Sequence, residues 1–277
     1  MHKFVIVTPV LNGCQFIGDA LLSVDRQSWP DWQHIVVDGG STDGTLDLVR
    51  SSVAAEPRRK LVTGTDRGMY DAIFKGFVST DAAPDDILFW LNADDMLAPW
   101  AFATLAPVFE RGADWVTGLP GQWDEAGRLT HLVPSAWYPR GLLRAGLFHG
   151  RALGWLQQES TFFSRRLLER ADAEIIAGIR GMKYAGDFAL WREFANHAAL
   201  ESLTTMLGGF RLHGANISGP RNRYFAEAKI AGAMIPPALL ATAMRAVYRL
   251  AALWVTARRA RVIARAEDWR VLGRKSD

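Results

Sequence analysis

An α/β fold, with a parallel sheet covered by helices on both faces, is what the sequence predicts, on three observations. Short continuous apolar runs recur: Phe4-Val5-Ile6-Val7, His34-Ile35-Val36-Val37 and Leu88-Phe89-Trp90-Leu91. Runs of that kind suit strands buried on both faces. Helical patterns separate them, and the second run leads through the glycine turn Gly39-Gly40-Ser41-Thr42-Asp43-Gly44 into another helix. Strands alternating with helices in this way give parallel strands joined by crossovers.

The 277 residues suffice for one large domain, or a core domain with a tail. With 49% apolar and 22% charged residues the chain is globular rather than disordered. A single cysteine, Cys14, excludes an internal disulfide framework and a cysteine-rich zinc site, and fits a reducing compartment. The first apolar run stops at Thr8-Pro9, too short for a signal-peptide core, so a cytoplasmic location is expected. Eleven tryptophans point to core filling, membrane-interface contact or an acceptor groove. The net charge of +3 is unevenly placed: residues 245–277 hold nine Arg or Lys and three Asp or Glu, so the remainder is acidic. The basic character belongs to the tail, and a nucleic-acid partner is not expected.

In order, residues 4–7 read as the first strand, 16–27 as a helix stopping near Trp29-Pro30, and 34–38 as the second strand. After the glycine turn, whose Ser, Thr and Asp oxygens can cap a first turn, a helix runs to about Val53. Leu61-Val62-Thr63 is a third strand and residues 69–78 a helix opened by Gly68, with Met69, Ile73 and Phe77 on its core face. The run at 88–91 ends in Asn92-Ala93-Asp94-Asp95. Adjacent carboxylates at a strand end repel unless a cation or donors hold them, and such hard oxygens suit Mg²⁺ or Mn²⁺ with substrate phosphates completing the shell. A solvated turn before Pro99 is the plainer reading. Asp38, also at a strand end, can accept from a base N–H or a ribose hydroxyl, or bond its own turn. Neither G-x-x-x-x-G-K-[ST] nor G-x-G-x-x-G occurs, which argues against a P-loop NTPase and a standard dinucleotide oxidoreductase.

Four segments in order, Thr8-Pro9-Val10-Leu11-Asn12, Val36 to Thr45, Asp66-Arg67-Gly68-Met69-Tyr70-Asp71-Ala72-Ile73 and Leu91-Asn92-Ala93-Asp94-Asp95, resemble family 2 glycosyltransferases of the GT-A fold. The resemblance is closest to bacterial polysaccharide-assembly enzymes of the colanic-acid type. It implies a Rossmann-like nucleotide-diphospho-sugar transferase sheet over residues 1–215, followed by a helical, basic tail over 216–277. It implies that Thr8, Asn12, Asp38 and Ser41 hold base and ribose. Asp66, Arg67, Gly68 and Asp71 then approach the base and diphosphate, where an arginine donates in a fork and stays charged; a surface arginine pairing with Asp66 or Asp71 is the plainer reading of Arg67. Asn92 stands where the family's D-x-D motif begins, and an amide there can still bond ribose. Asp94 joins the nucleotide-sugar site, and Asp94 and Asp95 are left to hold a Mn²⁺ or Mg²⁺ ion that neutralises the departing diphosphate.

Further along, Phe102, Leu105 and Phe109 suit a helix, 114–118 a strand, and Gly121 to Val133 a β-hairpin turning at 124–127. Residues 134–157, with Trp137, Tyr138, Phe148 and Trp155, read as acceptor-side loops. Gln157 to Phe163 resembles the segment preceding the family's base, and Tyr184 to Trp191 the base motif, which makes Asp187 the general base. One carboxylate near the acceptor hydroxyl is enough when the leaving group is already good, unlike the carboxyl pair of glycosidases. In-line displacement with one base implies inversion. A helix N-cap role for Asp187 is compatible with this. Phe210-Arg211-Leu212-His213 resembles a late segment closing over the diphosphate, with His213 a further metal ligand or an ordinary core or surface histidine. The Q-x-x-R-W signature of processive synthases is absent, which favours one sugar per encounter.

The tail is apolar over 230–257, but Pro236-Pro237, Arg245 and Arg249 argue against a spanning helix. A helical wheel from Leu239 puts Leu239, Met244, Val247, Leu250 and Trp254 in one half and Arg245, Arg249 and Arg259 in the other, the stripe failing at Arg261 and Arg265. An amphipathic helix with basic residues fits an anionic membrane surface, at the inner face of the cytoplasmic membrane. Packing on the catalytic domain or a second subunit is the alternative. The resemblance thus implies a peripheral-membrane, metal-dependent transferase moving sugar from a nucleoside-diphosphate sugar to a glycan or polyprenyl-linked acceptor in cell-surface polysaccharide synthesis. Its rival is a catalytically degenerate sugar-nucleotide-binding or assembly protein at the membrane. A nucleotidyltransferase would need a glycine-rich, lysine-bearing loop near the N-terminus, and none is present.

Overall fold

The computed structural model describes residues 2–133, 137–214, 216 and 221–265. The first half alternates as expected: β1 (Phe4–Val10), α1 (Ile17–Asp25), β2 (Trp32–Asp38), α2 (Thr45–Ala55), β3 (Arg59–Thr63), α3 (Met69–Val78) and β4 (Ile87–Trp90). A short β5 (Met96–Leu97), α4 (Ala101–Glu110), β6 (Trp115–Thr117) and the expected hairpin of β7 (Gly121–Trp123) and β8 (Leu129–Leu132) follow. The second half holds α5 (Arg140–Arg144), a 3₁₀ turn (Gln158–Ser160), β9 (Thr161–Ser164), α6 (Arg165–Arg170), α7 (Ala173–Ile179) and α8 (Gly186–His197). It ends with β10 (Glu201–Ser202), β11 (Gly208–Arg211), α9 (Arg221–Ile230) and α10 (Ala238–Arg265).

The main sheet has the order β10-β6-β9-β4-β1-β2-β3. β3, β2, β1 and β4 are mutually parallel, so the chain first moves outward from β1 and then returns to its other side. The crevice at such a reversal, outside the carboxyl ends of the strands, is where open α/β sheets bind ligands. The register sets Val10 level with Asp38, and Asp38 level with Thr63. The sheet is mixed, because β9 lies antiparallel between β4 and β6. The sequence around it reads as a site segment, and only the pairing reveals a central strand. A second sheet, β5-β11-β7-β8, sits beyond β4 and carries the late segment back over its end.

Side-chain alternation sends Val5, Val7, Ile35 and Val37 to one face, against Tyr70, Ile73 and Phe77 of α3. Met69 packs at the edge of this cluster, so the core face expected of that helix is the one observed. Trp90, Trp115 and Trp191 fill the same layer, Trp90 stacking on Trp191 with centroids 5.4 Å apart. Phe4, Ile6, Phe89 and Phe162 face the other way, against α1 and α4. Phe89 stacks on Phe162 at 4.2 Å and Phe4 on Phe102 at 4.3 Å. Much of the tryptophan content is therefore core filling. So are Tyr138 and Phe148, expected in acceptor-side loops but buried in the first cluster, while Trp155 is exposed.

The C-terminal helix departs from the expected wheel. Ala241, Met244 and Tyr248 turn toward the sheet-and-helix body, with Tyr248 donating to the Trp137 carbonyl and stacking on its ring at 6.0 Å. Arg245 turns inward too and donates to the Arg151 carbonyl. Leu239, Leu240, Val247, Leu250, Leu253 and Trp254 stay exposed. Both long faces are thus apolar, which is why the expected split of Met244 from Arg245 fails. The window Ala238–Val255 has mean hydropathy 1.4, long and apolar enough by length and composition to cross a membrane. The side chains of Arg259, Arg261 and Arg265, and the basic stretch beyond them, lie outside the described residues.

Phe162 is fully buried between Phe89 and Phe102. Phe162→Ala is expected to cost about 3–5 kcal/mol, as cavities of this size do, with an unchanged denaturant slope in urea unfolding.

Candidate functional site

Three strand ends and one helix start converge. At the end of β2, the Asp38 carboxylate accepts from Gly40 N and Ser41 N at 2.9 Å through Oδ1, bonding its own turn as the plainer reading expects. Its Oδ2 is buried with no hydrogen-bond partner among the described residues. A buried acceptor left unpaired costs about 1–3 kcal/mol, and a donor N–H or hydroxyl of a ligand would remove that cost. Gly39 follows, and a Cβ there would come within 2.8 Å of Asp66 Oδ2, so a larger residue would displace the Asp66 carboxylate. Asp66 in turn accepts from Gly68 N at 2.9 Å, with Gly68 at φ 135° opening α3.

Asn12 adopts φ 54°, a left-handed conformation asparagine tolerates. Its Oδ1 accepts from Thr42 N at 2.8 Å, and its own N–H donates to Ser41 Oγ at 2.8 Å. These two residues therefore stitch the loop after β1 to the loop after β2. Thr8 is placed differently from expectation. It shares a face with Phe4 and Ile6, is fully buried, and its hydroxyl bonds the His34 ring at 2.8 Å instead of facing the crevice. Burial first, then Arg59, holds His34 well below its ordinary value, so it is neutral.

Asp71 also departs from its expected place. It is buried at 2% exposure and paired with Arg67 at 3.2 Å, Lys75 at 3.2 Å and Arg180 at 2.8 Å. Burial alone would raise its carboxyl, but the bonds from Arg180, Arg67 and Lys75 hold it well below the carboxylate range. Its role is to gather cations, one of which, Arg67, keeps a side chain 66% exposed.

At the end of β4 the two adjacent acids part. Asp95 is buried; it accepts from Arg211 N at 2.7 Å and Asn92 Nδ2 at 3.0 Å, tying the first sheet to β11. Asp94 keeps its side chain 30% exposed and meets His213 Nε2 at 3.0 Å. Asn216 orders this pair, accepting from His213 N at 2.7 Å. Among the described residues no three His, Cys, Asp or Glu side chains converge as a closed metal cage. Asp94 with His213 is an open pair, and one or two protein ligands with substrate oxygens suffice for Mg²⁺ or Mn²⁺. The surrounding charge also fits a cation. Burial pushes Glu159 up to about 7, helped by Asp187 and Asp94, and burial with Glu159 and Asp94 pushes Asp95 well above its usual range. This is unrelieved acid at one place.

Asp187 lies in the first turn of α8, half-buried, accepting from the Tyr70 hydroxyl at 3.3 Å while its N–H donates to the same oxygen at 3.2 Å. A Cβ on Gly186 would meet the Tyr70 ring at 2.8 Å, so glycine is what lets the helix start approach α3. Burial raises Asp187 to about 6 against the opposing bonds from Phe188 N and Tyr70. A carboxyl poised near neutrality can take and release a proton at physiological pH. Sequence reasoning passed over Tyr70, Glu159 and Arg180. The first two lie inside quoted motifs, but no local pattern singles them out and nothing in the chain brings Arg180 to Asp71.

The family model described as Glycosyl transferase family 2 matches residues 5–172. A PGL/p-HBAD biosynthesis glycosyltransferase of Mycobacterium tuberculosis is 38% identical over 95 residues, 34% of this chain and 36% of the relative. The O-antigen biosynthesis protein RfbC of Myxococcus xanthus is 33% identical over 107 residues, 38% of this chain and 8% of the relative. The chain thus matches about a third or less of these curated relatives' length. Among solved structures, S. aureus TarS 1–349 in complex with UDP-GlcNAc aligns at TM-score 0.60 and 16% identity, covering 77% of this chain and 60% of that one. The mannosyltransferase PcManGT of Pyrobaculum calidifontis, in complex with GDP-Man and Mn²⁺, aligns at TM-score 0.58 and 21% identity, covering 95% and 75%. The fold is GT-A.

Asp187's raised value makes its ionised form a local burden on the fold: the penalty is absent below about pH 4 and complete above about pH 6. Asp187→Asn is therefore expected to be more stable than wild type at pH 7.5, by on the order of 2 kcal/mol. Thermal melts should show the two converging at pH 4.

Proposed function

The chain belongs to glycosyl transferase family 2, and from that premise we propose that it moves a sugar, with inversion, from a nucleoside-diphosphate donor to a hydroxyl of a glycan or polyprenyl-linked acceptor in cell-surface polysaccharide synthesis. The observation that supports this most is the gathering of Asp94, with its partner His213, and Asp187 around buried Glu159. Asp38 and Asp66 receive the nucleoside, within loops stitched by Asn12 and Ser41. Arg67, with Arg180 held beside it by Asp71, faces the diphosphate. Asp94 and His213 hold the divalent cation, and Asp95 fixes the turn that presents Asp94. When bound, the cation offsets charge on the departing nucleoside diphosphate. The complexes of the two solved relatives, one with UDP-GlcNAc and one with GDP-Man and Mn²⁺, favour a nucleotide sugar and a divalent cation here.

Asp187 takes the proton from the acceptor hydroxyl as its oxygen bonds the anomeric carbon and the bond to the diphosphate oxygen breaks. Tyr70 orients that carboxylate from α3. The alternative, a catalytically degenerate binding protein at the membrane, predicts donor binding without turnover.

Calorimetric titration with UDP, GDP and dTDP, each with Mn²⁺ and with EDTA, tests the donor reading. One nucleotide should bind in a metal-dependent way, to wild type and Asp187→Asn alike. Transfer to a lipid-linked or oligosaccharide acceptor should be lost in Asp187→Asn and should rise through about pH 6 in wild type. Binding without any transfer by wild type would favour the degenerate protein.

The membrane reading follows from α10. Its inner face is held on the body by Met244, Arg245 and Tyr248, so the outer apolar face, followed by basic sequence, suits an anionic bilayer at the inner face of the cytoplasmic membrane. Val247→Asp with Leu250→Asp should abolish sedimentation with phosphatidylglycerol vesicles while leaving turnover of a soluble acceptor intact. Unchanged sedimentation would sink this idea.

A further inference from the structure

One carboxylate near the base makes an arrangement that the roles above do not use. Glu227, on the second turn of α9, accepts from three consecutive backbone amides: Lys183 N at 3.0 Å, Tyr184 N at 2.8 Å and Ala185 N at 3.0 Å. These amides end where α8 begins, with Asp187 its second residue. No side chain of the turn itself caps that helix start. Consecutive N–H groups pointing together form an anion-binding concavity, and the positive end of the helix dipole adds to it. Here the anion is supplied by the protein, from an element some forty residues further along the chain.

The same segment grips α8 again, one and a half turns on. Arg192 donates to the Ala231 carbonyl, and Gly232, at φ 83°, approaches so closely that a Cβ would lie 2.4 Å from Arg192 Nη1. Met234 N then donates to Gly146 O at 3.1 Å, and the Met234 carbonyl meets His149 Nε2 at 2.9 Å. Between these anchors Tyr224, Phe225 and Ala228 pack on Ala185 and Phe188, the residues flanking Gly186 and Asp187. The strand-and-helix body ends before this strap begins, yet the strap holds both the start and the middle of the helix that carries the base.

We propose that Glu227 is a positioning residue: its carboxylate fixes the turn of residues 183–185 so that α8 starts where Asp187 can reach the acceptor hydroxyl. This rests on Asp187 being the base. The segment from Tyr224 to Met234 is then part of the catalytic unit, and the connection to α10 joins the face proposed for the membrane to the placement of the base. A negative charge beside Asp187 also helps keep its proton affinity up.

The test compares wild type, Glu227→Ala, Glu227→Gln and Asp187→Asn in one transfer assay with the full chain, alongside nucleotide titration and thermal melts. Displacing a catalytic group by about 1 Å can cost about 100-fold, so Glu227→Ala should lower kcat by about 10- to 100-fold. Its donor KM and nucleotide Kd should stay within about twofold of wild type, since the nucleoside loops lie elsewhere. Glu227→Gln, which keeps one acceptor oxygen for Tyr184 N and Ala185 N, should recover much of that kcat. A wild-type kcat in Glu227→Ala, or nucleotide affinity and melting temperature falling in step with kcat, overturns the proposal. If Glu227→Ala does not fold, Glu227→Asp, whose shorter side chain draws the carboxylate away from the three amides, decides in its place: a lowered kcat at constant donor KM supports the proposal, and any other result overturns it. Asp187→Asn separates the two levels. Retained transfer there defeats the reading of the base itself, whereas an inactive Asp187→Asn beside a fully active Glu227→Ala defeats only the role of Glu227.

Discussion

The pairing of β1 between β2 and β4 is the constraint on which the rest depends. Parallel pairing on both sides of one strand levels three loops at one edge and leaves a crevice where the chain reverses direction. Asn12, Asp38 and Asp94 reach that edge only because Val10, Asp38 and Trp90 end strands in register with β1. The apolar layers on both faces serve this pairing. Phe4, Ile6, Phe89 and Phe162 on one side, with Val5, Val7, Trp90 and Trp191 on the other, bury the backbone ladder away from competing water.

What accumulates at the edge is acid. Burial raises the proton affinity of Asp95, Glu159 and Asp187, and the charges of Asp94, Glu159 and Asp187 add to it at Asp95 and Glu159. A fold that only needed stability would not hold them there, since buried carboxylates without cations are costly. The buried acids that serve the fold look different. Asp71 draws in Arg67, Lys75 and Arg180, and Glu193 meets His197 at 2.7 Å. The contrast between compensated and uncompensated acids marks the site more sharply than any one residue does.

The second sheet and the C-terminal strap complete what the first sheet starts. β11 brings His213 to Asp94 and lets Arg211 N settle Asp95. The strap brings Glu227 to the amides before α8 and binds Arg192 further along. Both contacts span long stretches of chain, so they close loops whose entropy only a well-packed body can offset.

Much of this was legible in the sequence. Apolar runs ending in Asp38 and in Asn92-Ala93-Asp94-Asp95, with the glycine turn, were enough for the fold class, and the resemblance of the segments about Asp66 and Asp187 to a known family pointed to the candidate residues there. Local chemistry decides those features, because strand burial, turn conformation and helix starts depend on near neighbours. Other features were settled only in three dimensions. The hydroxyl of Thr8 turns to His34 because strand parity puts it on the α1 face, and Asp71 turns to Arg180, distant in sequence. Asp94 and Asp95 were equivalent as letters, and the crossing of β11 left one half-exposed beside His213 and made the other a buried brace. The helix of the tail was readable, but which side met the body was not, because both of its long faces are apolar and hydrophobic pattern alone cannot choose between them. Composition and periodicity thus determined what each segment becomes, while the long-range packing of β9, β11 and α9 decided which polar atoms are left facing the crevice.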